Sequence, residues 1–443
     1  MKFNRNLYSV NLHDHFWFIF IFALVIRLLY IIVFYYPGIS EEFADDKAYM
    51  NIAENLLQQG FWLSDLEMLG SYSGVVGPGI GWILYPVVAI FGSNWLAVFI
   101  YVAVGSAFIP VLIYKLAGFL YNQRVALFAA FMGIIYVPFI RYTLSAGKDI
   151  WMTLFLLLVV YVLLRQKNKW NGFLYFLLIG FLYTFLFHLD ERFLIFAPFI
   201  LLFFLSETGL SPGKRYLKAI TFTSLVVLMT IPWVVRNYQV YDRVILISVR
   251  TAPYTEKIFG YEPVEYFPAH EGRWKIPEAT LDSIKNNQIE NPDQLKKIKT
   301  PQQIDAIKKG ILPEDFTYWE TVWSSFINFW EPIDLVYSYY QTGHRFDGRW
   351  SLRHNLSVGF TYGVMLLFSL VGLFYLYKRN KSISNLFLII LIIYMSLHIF
   401  LIPFTNSRYR LPLEPIIIIY GSYGLIKALS FFNNKIRKVF FGN

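Results

Sequence analysis

The sequence predicts an all-helical polytopic membrane protein with about ten transmembrane helices, further helices along the outer face and one long outer loop. Of its 443 residues, 56% are hydrophobic and 20% are aromatic, and the mean hydropathy is +0.47. Apolar runs close to the length needed to cross a bilayer recur along the chain. The runs are continuous rather than alternating, which predicts helices and not the strands of a membrane barrel.

Eleven apolar runs are candidates for these helices. They lie at residues 16–36, 79–92, 95–120, 125–143, 150–164, 173–187, 193–205, 217–235, 356–377, 383–402 and 412–430. The run 79–92 is short and contains Pro86 and Gly92, which is more typical of an interfacial or re-entrant helix than of a span. Ten crossings are therefore predicted.

Basic residues determine the predicted orientation. With the N-terminus in the cytoplasm and 79–92 on the outer face, the basic clusters beside short loops fall on the cytoplasmic side, as the positive-inside rule requires. These clusters are Lys2 with Arg5, Arg124, Arg165 with Lys167 and Lys169, Lys214 with Arg215 and Lys218, Lys378 with Arg379 and Lys381, and Lys435 with Arg437 and Lys438. Both termini are then cytoplasmic. The net charge of +10 gives no reason to expect a nucleic-acid partner, because it is divided among membrane loops.

This topology divides the chain into three parts. Residues 1–235 form an N-terminal transmembrane module whose first outer loop is 37–94, and residues 356–443 form the C-terminal transmembrane helices. Between them, 236–355 is predicted to be an extracytoplasmic loop subdomain. Its stretch from Tyr318 to Trp330 carries three tryptophans, a pattern typical of an interfacial helix.

The first outer loop contains a pair of carboxylates before an amphipathic helix. Asp45 and Asp46 precede apolar residues at helical spacing from Tyr49 onward, and Gly60 follows as a stop signal. One aspartate of such a pair can cap the helix. The other is then available as a base.

Two short outer turns add further ionisable groups. One is Ser145-Ala-Gly-Lys148-Asp149, and the other is the segment 188–192, His-Leu-Asp-Glu-Arg. Charged side chains this close to the hydrocarbon core usually pair with one another or belong to a functional site. An interfacial ion pair between Lys148 and Asp149 and mutual pairing within 188–192 are the structural alternatives to a functional role.

Three arginines stand on the predicted outer face against the positive-inside trend. They are Arg236, Arg408 and Arg410. Snorkelling to the interface would explain a single arginine, whereas guanidinium groups also match phosphate oxygens in a bidentate fork. The outer face thus offers a base for an acceptor hydroxyl, cations for a leaving phosphate and aromatic faces for a sugar.

Three segments, in family order, resemble the GT-C glycosyltransferases. They are Asp45-Asp46-Lys-Ala-Tyr49-Met-Asn-Ile52-Ala53-Glu-Asn-Leu56, Pro232-Trp233-Val-Val-Arg236-Asn237-Tyr238 and Arg408-Tyr409-Arg410-Leu-Pro412-Leu-Glu414-Pro415. The resemblance is to the family 39-like branch, which includes protein O-mannosyltransferases and the lipid A aminoarabinose transferase. It implies the GT-C fold and inverting transfer of a hexose or pentose from a polyprenyl phosphate to an acceptor hydroxyl. The run 74–79 departs from the pattern, because it lacks the basic or histidine residue with paired prolines of some relatives.

The resemblance also implies roles for individual residues. In such enzymes an aspartate of the first outer loop is the general base, and register with Tyr49 makes Asp45 the first candidate and Asp46 the second. Asp149 matches an acidic residue that relatives carry near the start of a span. Candidate contacts of the donor phosphate are Lys148, Arg192, Arg236, Arg408 and Arg410, and candidates for the sugar or acceptor pocket are Tyr49, His188 and Asp190.

The expected partners are the lipid-linked donor, membrane lipid, and a glycan, lipid or protein acceptor. No cofactor is expected. The chain has no cysteine and no HExxH zinc motif. A divalent metal could sit on Asp45, Asp46 and Asp149, but lysine and arginine can neutralise the phosphate without one. Resemblance to bacterial members places the protein in the inner, or plasma, membrane, with the active site on the periplasmic or extracellular side.

Two other functions compete with glycosyl transfer. A flippase for lipid-linked saccharide needs charged residues along a path through the membrane. Arg27 is the clearest charge inside a predicted span, with Lys115 and His398 near span ends. A polysaccharide polymerase or O-antigen ligase would use a diphosphate-linked donor and a large catalytic outer loop, whereas here the clearest motif lies in the first loop.

Overall fold

A computed structural model describes a helical protein. The described residues are 15–36, 44–60, 77–165, 172–205, 211–248, 258–261, 318–330, 356–379, 381–401 and 407–441. Within these ranges no residue lies in a strand. The chain divides into two compact units, the first of Met1–Ile135 with Phe139–Tyr266 and the second of Tyr136–Pro138 with Phe267–Asn443.

The helices of the first unit follow the predicted apolar runs. In chain order they are α1 (Phe16–Phe34), α2 (Ala44–Gln59), α3 (Gly79–Phe91), α4 (Trp95–Leu120), α5 (Gln123–Ile135), α6 (Val137–Arg141), α7 (Asp149–Arg165), α8 (Gly172–Leu189), α9 (Ala197–Leu205) and α10 (Pro212–Tyr241). A bend of 50° separates α5 from α6 and the 3₁₀ turn that continues it. Pro138 explains the bend, because it has no N–H for the carbonyl of Ile134 and its ring clashes with that carbonyl.

The first outer loop forms the predicted amphipathic helix, α2. Its apolar stripe is buried, and includes Tyr49 and Ile52, each 4% exposed. The helix ends at Gly60, whose φ is 75° and whose N–H donates to the carbonyl of Leu56. Glycine adopts this left-handed conformation without the steric penalty of a Cβ. A Cβ on Gly81 of α3 would lie 2.4 Å from Ile52, so α2 and α3 approach each other closely.

An intramembrane arginine joins α1 to α4. Arg27 is fully buried, and donates from Nε to the Ser106 hydroxyl at 2.7 Å and from Nη1 to the Ala23 carbonyl at 3.0 Å. The Ser106 hydroxyl in turn donates to the carbonyl of Phe139 at 2.7 Å. Two of the three guanidinium nitrogens thus bond inside the bundle, and Arg27 ties α1 and α4 to the bent segment after α5.

The described residues of the second unit form four α-helices. They are α11 (Tyr318–Trp330), α12 (Val364–Arg379), α13 (Lys381–Leu401) and α14 (Glu414–Phe441). Glycines bring α12 and α14 together: a Cβ on Gly372 would lie 2.0 Å from the Tyr420 carbonyl oxygen, and one on Gly424 2.0 Å from that of Phe368. Membrane helices pack closely where small residues allow the backbones to meet. The predicted interfacial helix is α11, where Trp319 is 69% exposed.

The fold class predicted from the sequence is confirmed, while the number of crossings is not. Five described helical segments are long and apolar enough to span a membrane, and the bent α5–α6 pair could be a sixth. The five segments are Phe16–Phe34, Trp95–Leu120, Pro212–Tyr241, Leu356–Lys378 and Arg408–Phe431. Helix α3 has 13 residues and is therefore about 20 Å long, shorter than the hydrocarbon core. Ten spans, the orientation and the three-part division remain predictions, and most of 236–355 lies outside the described residues.

Candidate functional site

The first and second predicted outer segments meet at Asp46. This residue is 1% exposed, and its carboxylate accepts hydrogen bonds from the Ser145 hydroxyl and the Ala146 N–H, each at 2.9 Å. The Ser145 oxygen also accepts from the N–H of Gly147 at 3.0 Å. Asp46 therefore holds the 145–149 turn against α2. The side chain of Asp45, the other candidate base, lies outside the described part of the chain.

A second carboxylate, Asp190, joins two of the predicted phosphate ligands. Lys148 Nζ lies 2.7 Å from Asp190 Oδ2, and Arg192 Nε lies 2.5 Å from Oδ1. Arg192 Nη2 also donates to Oδ2. The Asp190 carboxylate accepts in addition from the backbone N–H of Arg192, as the N-cap of the 3₁₀ turn Glu191–Phe196. Pairing within 188–192 is thus present, and Lys148 reaches across to the same carboxylate.

This cluster is buried, and Asp190 is ionised within it. Asp190 is 1% and Lys148 7% exposed. Burial by itself would raise the pKa of the Asp190 carboxyl, but the charges of Arg192 and Lys148 outweigh burial and hold that pKa well below its usual value. One carboxylate thus holds two cations together beside the turn that Asp46 holds.

His188 ends α8 directly before this cluster. Its side chain is fully buried, and Nδ1 lies 2.8 Å from the Thr184 carbonyl. Because a carbonyl only accepts, Nδ1 carries a proton, and in the neutral imidazole Nε2 is then an acceptor. Nε2 has no hydrogen-bond partner among the described residues. The ring lies 5.0 Å from that of Trp82 on α3.

Close backbone contacts place the start of α3 against the end of α8, at His188 and Leu189. A Cβ on Gly77 would lie 2.1 Å from the His188 carbonyl oxygen, and one on Gly79 2.6 Å from the Leu189 nitrogen. Any other residue would force these backbones apart. The predicted departure from the family pattern in 74–79 therefore coincides with a site of close approach.

The other sequence-predicted residues of the first unit are structurally engaged. Tyr49 lies on the buried face of α2. Asp149, 2% exposed, lies in the first turn of α7, where a negative charge is favoured by the helix dipole. Arg236 is fully buried, and it donates to Asn237 Oδ1 at 3.0 Å and lies 4.9 Å over the Trp233 ring.

The segment around Arg236 organises the chain that follows α10. Trp233 Nε1 donates to the Ile247 carbonyl at 2.7 Å, and Asn237 Nδ2 donates to the Ile245 carbonyl at 2.8 Å. Of this block, only the arginine is a site residue predicted from the sequence. The adjacent tryptophan and asparagine fix the course of residues 245–247.

Arg408 and Arg410 belong to the second unit. Arg410 is 2% exposed; its Nε donates to Glu414 at 2.9 Å and its Nη1 to the Phe329 carbonyl at 2.6 Å. Its guanidinium lies 3.7 Å from the centre of the Tyr362 ring. Arg410 thus joins the two helices: it forms a buried ion pair with Glu414 at the start of α14 and a hydrogen bond to Phe329 of α11. Arg408 is half-buried.

Sequence reasoning missed two residues that shape the site. Ser145 was noted only as part of a turn, yet it anchors Asp46, and Trp82 was not considered, yet its ring faces His188. The small residues Ser145-Ala-Gly between two apolar helices indicate a tight turn, and this was the sequence feature that could have pointed to Ser145. Among the described residues no three His, Asp or Glu side chains are grouped as metal ligands would be; with Asp45 outside them, metal independence remains a prediction.

Comparison with known proteins agrees with the resemblance found in the sequence. Residues 75–235 match the dolichyl-phosphate-mannose-protein mannosyltransferase family. The structure resembles the apo oligosaccharyltransferase of Archaeoglobus fulgidus, with 15% identity and a TM-score of 0.53 over 96% of this chain and 52% of that one. It also resembles the Archaeoglobus fulgidus oligosaccharyltransferase AglB in complex with an inhibitory peptide and a dolichol-phosphate, with 15% identity and a TM-score of 0.53 over 97% of this chain and 52% of that one. No curated protein matches the chain.

At this identity the structural likeness concerns the fold. The chain spans about half the length of the archaeal enzymes that it resembles. The family match covers the part of the first unit that contains the 145–149 turn and the Asp190 cluster, and it ends directly before Arg236. Together the two comparisons agree on a GT-C fold, and residues 75–235 match the dolichyl-phosphate-mannose-protein mannosyltransferase family.

Proposed function

We propose that the protein transfers a sugar, with inversion, from a polyprenyl-phosphate donor to an acceptor hydroxyl on the extracytoplasmic face of the membrane. The observation that carries this proposal is the cation cluster of Lys148 and Arg192 on Asp190, beside the turn held by Asp46. The active site is then periplasmic or extracellular in a bacterial inner membrane. The acceptor is a glycan, a lipid or a protein.

The cation cluster suits a leaving phosphate. When the bond between the sugar and the phosphate breaks, the phosphate gains negative charge that the intact donor does not carry. Cations held in place before the reaction therefore stabilise the transition state more than the ground state. Asp190 is the positioning residue in this scheme, because its carboxylate holds both Lys148 and Arg192.

The residue that takes the proton from the acceptor hydroxyl belongs to the first outer loop in this proposal. The acceptor oxygen forms a bond to the anomeric carbon on the face opposite the phosphate, the bond to the phosphate oxygen breaks, and the proton passes to a carboxylate. Asp46 uses both of its oxygens to hold the 145–149 turn. This supports Asp45 as the base and Asp46 as the residue that joins the base to the phosphate site.

His188 and Trp82 extend the site towards the sugar. An acceptor nitrogen without a partner in a buried position is unfavourable, and a sugar hydroxyl is a suitable donor for His188 Nε2. A half-exposed tryptophan supplies an apolar face for a sugar ring. Arg236 is buried against its neighbours Asn237 and Trp233, and Arg410 is buried against Glu414 and Phe329, so Lys148 and Arg192 are the stronger candidates for phosphate binding.

The test is transfer from a panel of radiolabelled polyprenyl-phosphate sugars by membranes containing the protein and a native acceptor extract. We expect transfer of one sugar by the wild type, and loss of at least a hundredfold in Asp45→Asn and Lys148→Met. Glu191→Gln is the matched control, since it removes a carboxylate from the same 3₁₀ turn as Arg192. Full activity in Asp45→Asn and Asp46→Asn combined would contradict the proposed mechanism, and transfer only from a diphosphate-linked donor would favour the polymerase or ligase function.

A further inference from the structure

An apolar cavity lies between α7 and α8 and extends along them away from the candidate active site. Its volume is about 220 Å³, it is partly open, and its walls are apolar. Leu158 and Val162 line it from α7, and Leu178 and Leu182 line it from α8. Along α7 the cavity ends at Arg165, which is about 24 Å from Asp149 at the other end of the helix. The cavity therefore reaches the end of α7 opposite the 145–149 turn.

A cation stands at the rim of this cavity. Arg165 lines it, is exposed, and donates from Nη1 to the hydroxyl of Tyr161 at 2.6 Å. Its guanidinium lies 5.6 Å from the centre of the Tyr161 ring. In the described part of the chain Arg165 forms no ion pair with a carboxylate. Its charge is therefore held in one place by Tyr161 but is not neutralised there.

Two further helices bring positive charge to the same end of the bundle. Lys115 of α4 lies close enough to Arg165 for the two charges to repel each other. Lys218 of α10 lies 5.9 Å over the ring of Phe176 on α8. Like charges that gather at one end of a helix bundle attract an anion, because the anion relieves their mutual repulsion.

We propose that this cavity binds an anionic phospholipid, with one acyl chain between α7 and α8 and the phosphate on Arg165. Apolar cavities of this kind remain dry and accept apolar guests, and the surrounding bilayer supplies acyl chains. Basic pockets between transmembrane helices are known to hold anionic head groups. The site is independent of glycosyl transfer, since its cation lies at the far end of α7 from Lys148 and Asp149.

The test is native mass spectrometry of the full-length protein in detergent, with phosphatidylglycerol and phosphatidylcholine of equal chain length. We expect the wild type to retain phosphatidylglycerol in preference. Arg165→Gln should reduce that preference about fivefold, the effect of one interfacial cation. Leu178→Trp should fill the cavity and reduce retention of both lipids. Lys427→Gln is the matched control, because Lys427 also lies 5.6 Å over a tyrosine ring one helical turn away and does not line this cavity.

Arg165→Lys guards against a folding defect in the glutamine variant, since it keeps the charge and should keep the preference. Equal retention of the two lipids by the wild type would overturn the proposal. So would a preference that survives Arg165→Gln, or one that Lys427→Gln reduces as much. Displacement of the bound lipid by a neutral polyprenol, with no dependence on Arg165, would show that the cavity holds a lipid chain without recognising a phosphate, and would equally count against it.

Discussion

Replacing Asp190 with Asn would remove the one carboxylate that Lys148 and Arg192 share, while keeping the size of the side chain. The two cations would then face each other in a buried site. Removing one partner of a buried ion pair costs about 3–5 kcal/mol. Arg192 is partly exposed, with 18% of its side chain accessible, and can turn towards water. We therefore expect the free energy of unfolding to fall by an amount near the lower end of this range, about 3 kcal/mol.

The pH dependence follows from the sign of the pKa shift. The folded-state pKa of Asp190 lies well below the value of about 3.9 for an unfolded aspartate. Its carboxylate therefore contributes stability that is fully present above pH 4 and is lost as the pH falls towards the folded-state pKa. The difference between wild type and Asp190→Asn should be constant from pH 7 to about pH 5 and shrink below about pH 4.

The assay is thermal unfolding in detergent between pH 3 and pH 7, followed by the same transfer assay at pH 7. Lys148→Met combined with Asp190→Asn should recover part of the loss, with a coupling of about 1–3 kcal/mol. Glu191→Gln serves as the control and should change stability by less than about 0.5 kcal/mol. If the double variant were simply additive, or if the stability difference grew as the pH fell, the ion-pair account of this cluster would be wrong.

Three further predictions concern packing. Gly424→Ala should destabilise the protein by about 1–3 kcal/mol, because its Cβ would lie 2.0 Å from a backbone oxygen of α12; Gly213→Ala, which meets no atom within 4 Å, is the control in the same melting experiment. Ser145→Ala should cost about 1 kcal/mol of stability and reduce the transfer rate, because it removes a donor to Asp46; an unchanged rate would separate the turn from catalysis. Arg27→Met should change stability by less than about 2 kcal/mol, since no carboxylate pairs with the guanidinium in the described residues, and it should leave transfer intact; abolished activity in a folded variant would return attention to a path through the membrane.

The helices were predictable because a bilayer leaves the backbone few choices. Each polar backbone group must be satisfied within the segment, so each continuous apolar run appears as a helix, including the short α3. The amphipathic spacing and Gly60 likewise defined α2 from local sequence. The number of crossings did not follow with the same certainty, because helices α7 to α9 have 17, 18 and 9 residues, and crossing also depends on tilt and packing.

Pairing among the charged residues depended on the fold. Lys148 and Asp149 are neighbours in sequence, but adjacent residues at a helix start point in different directions, and Lys148 instead meets Asp190. By contrast, Arg410 and Glu414 are four residues apart, and their ion pair follows a helical spacing that is visible in the sequence. The sequence by itself therefore determined which segments are helices, because lipid requires each segment to satisfy its own backbone groups. Only the tertiary structure decided which carboxylate each cation meets, because loop closure brings together residues that local spacing cannot relate.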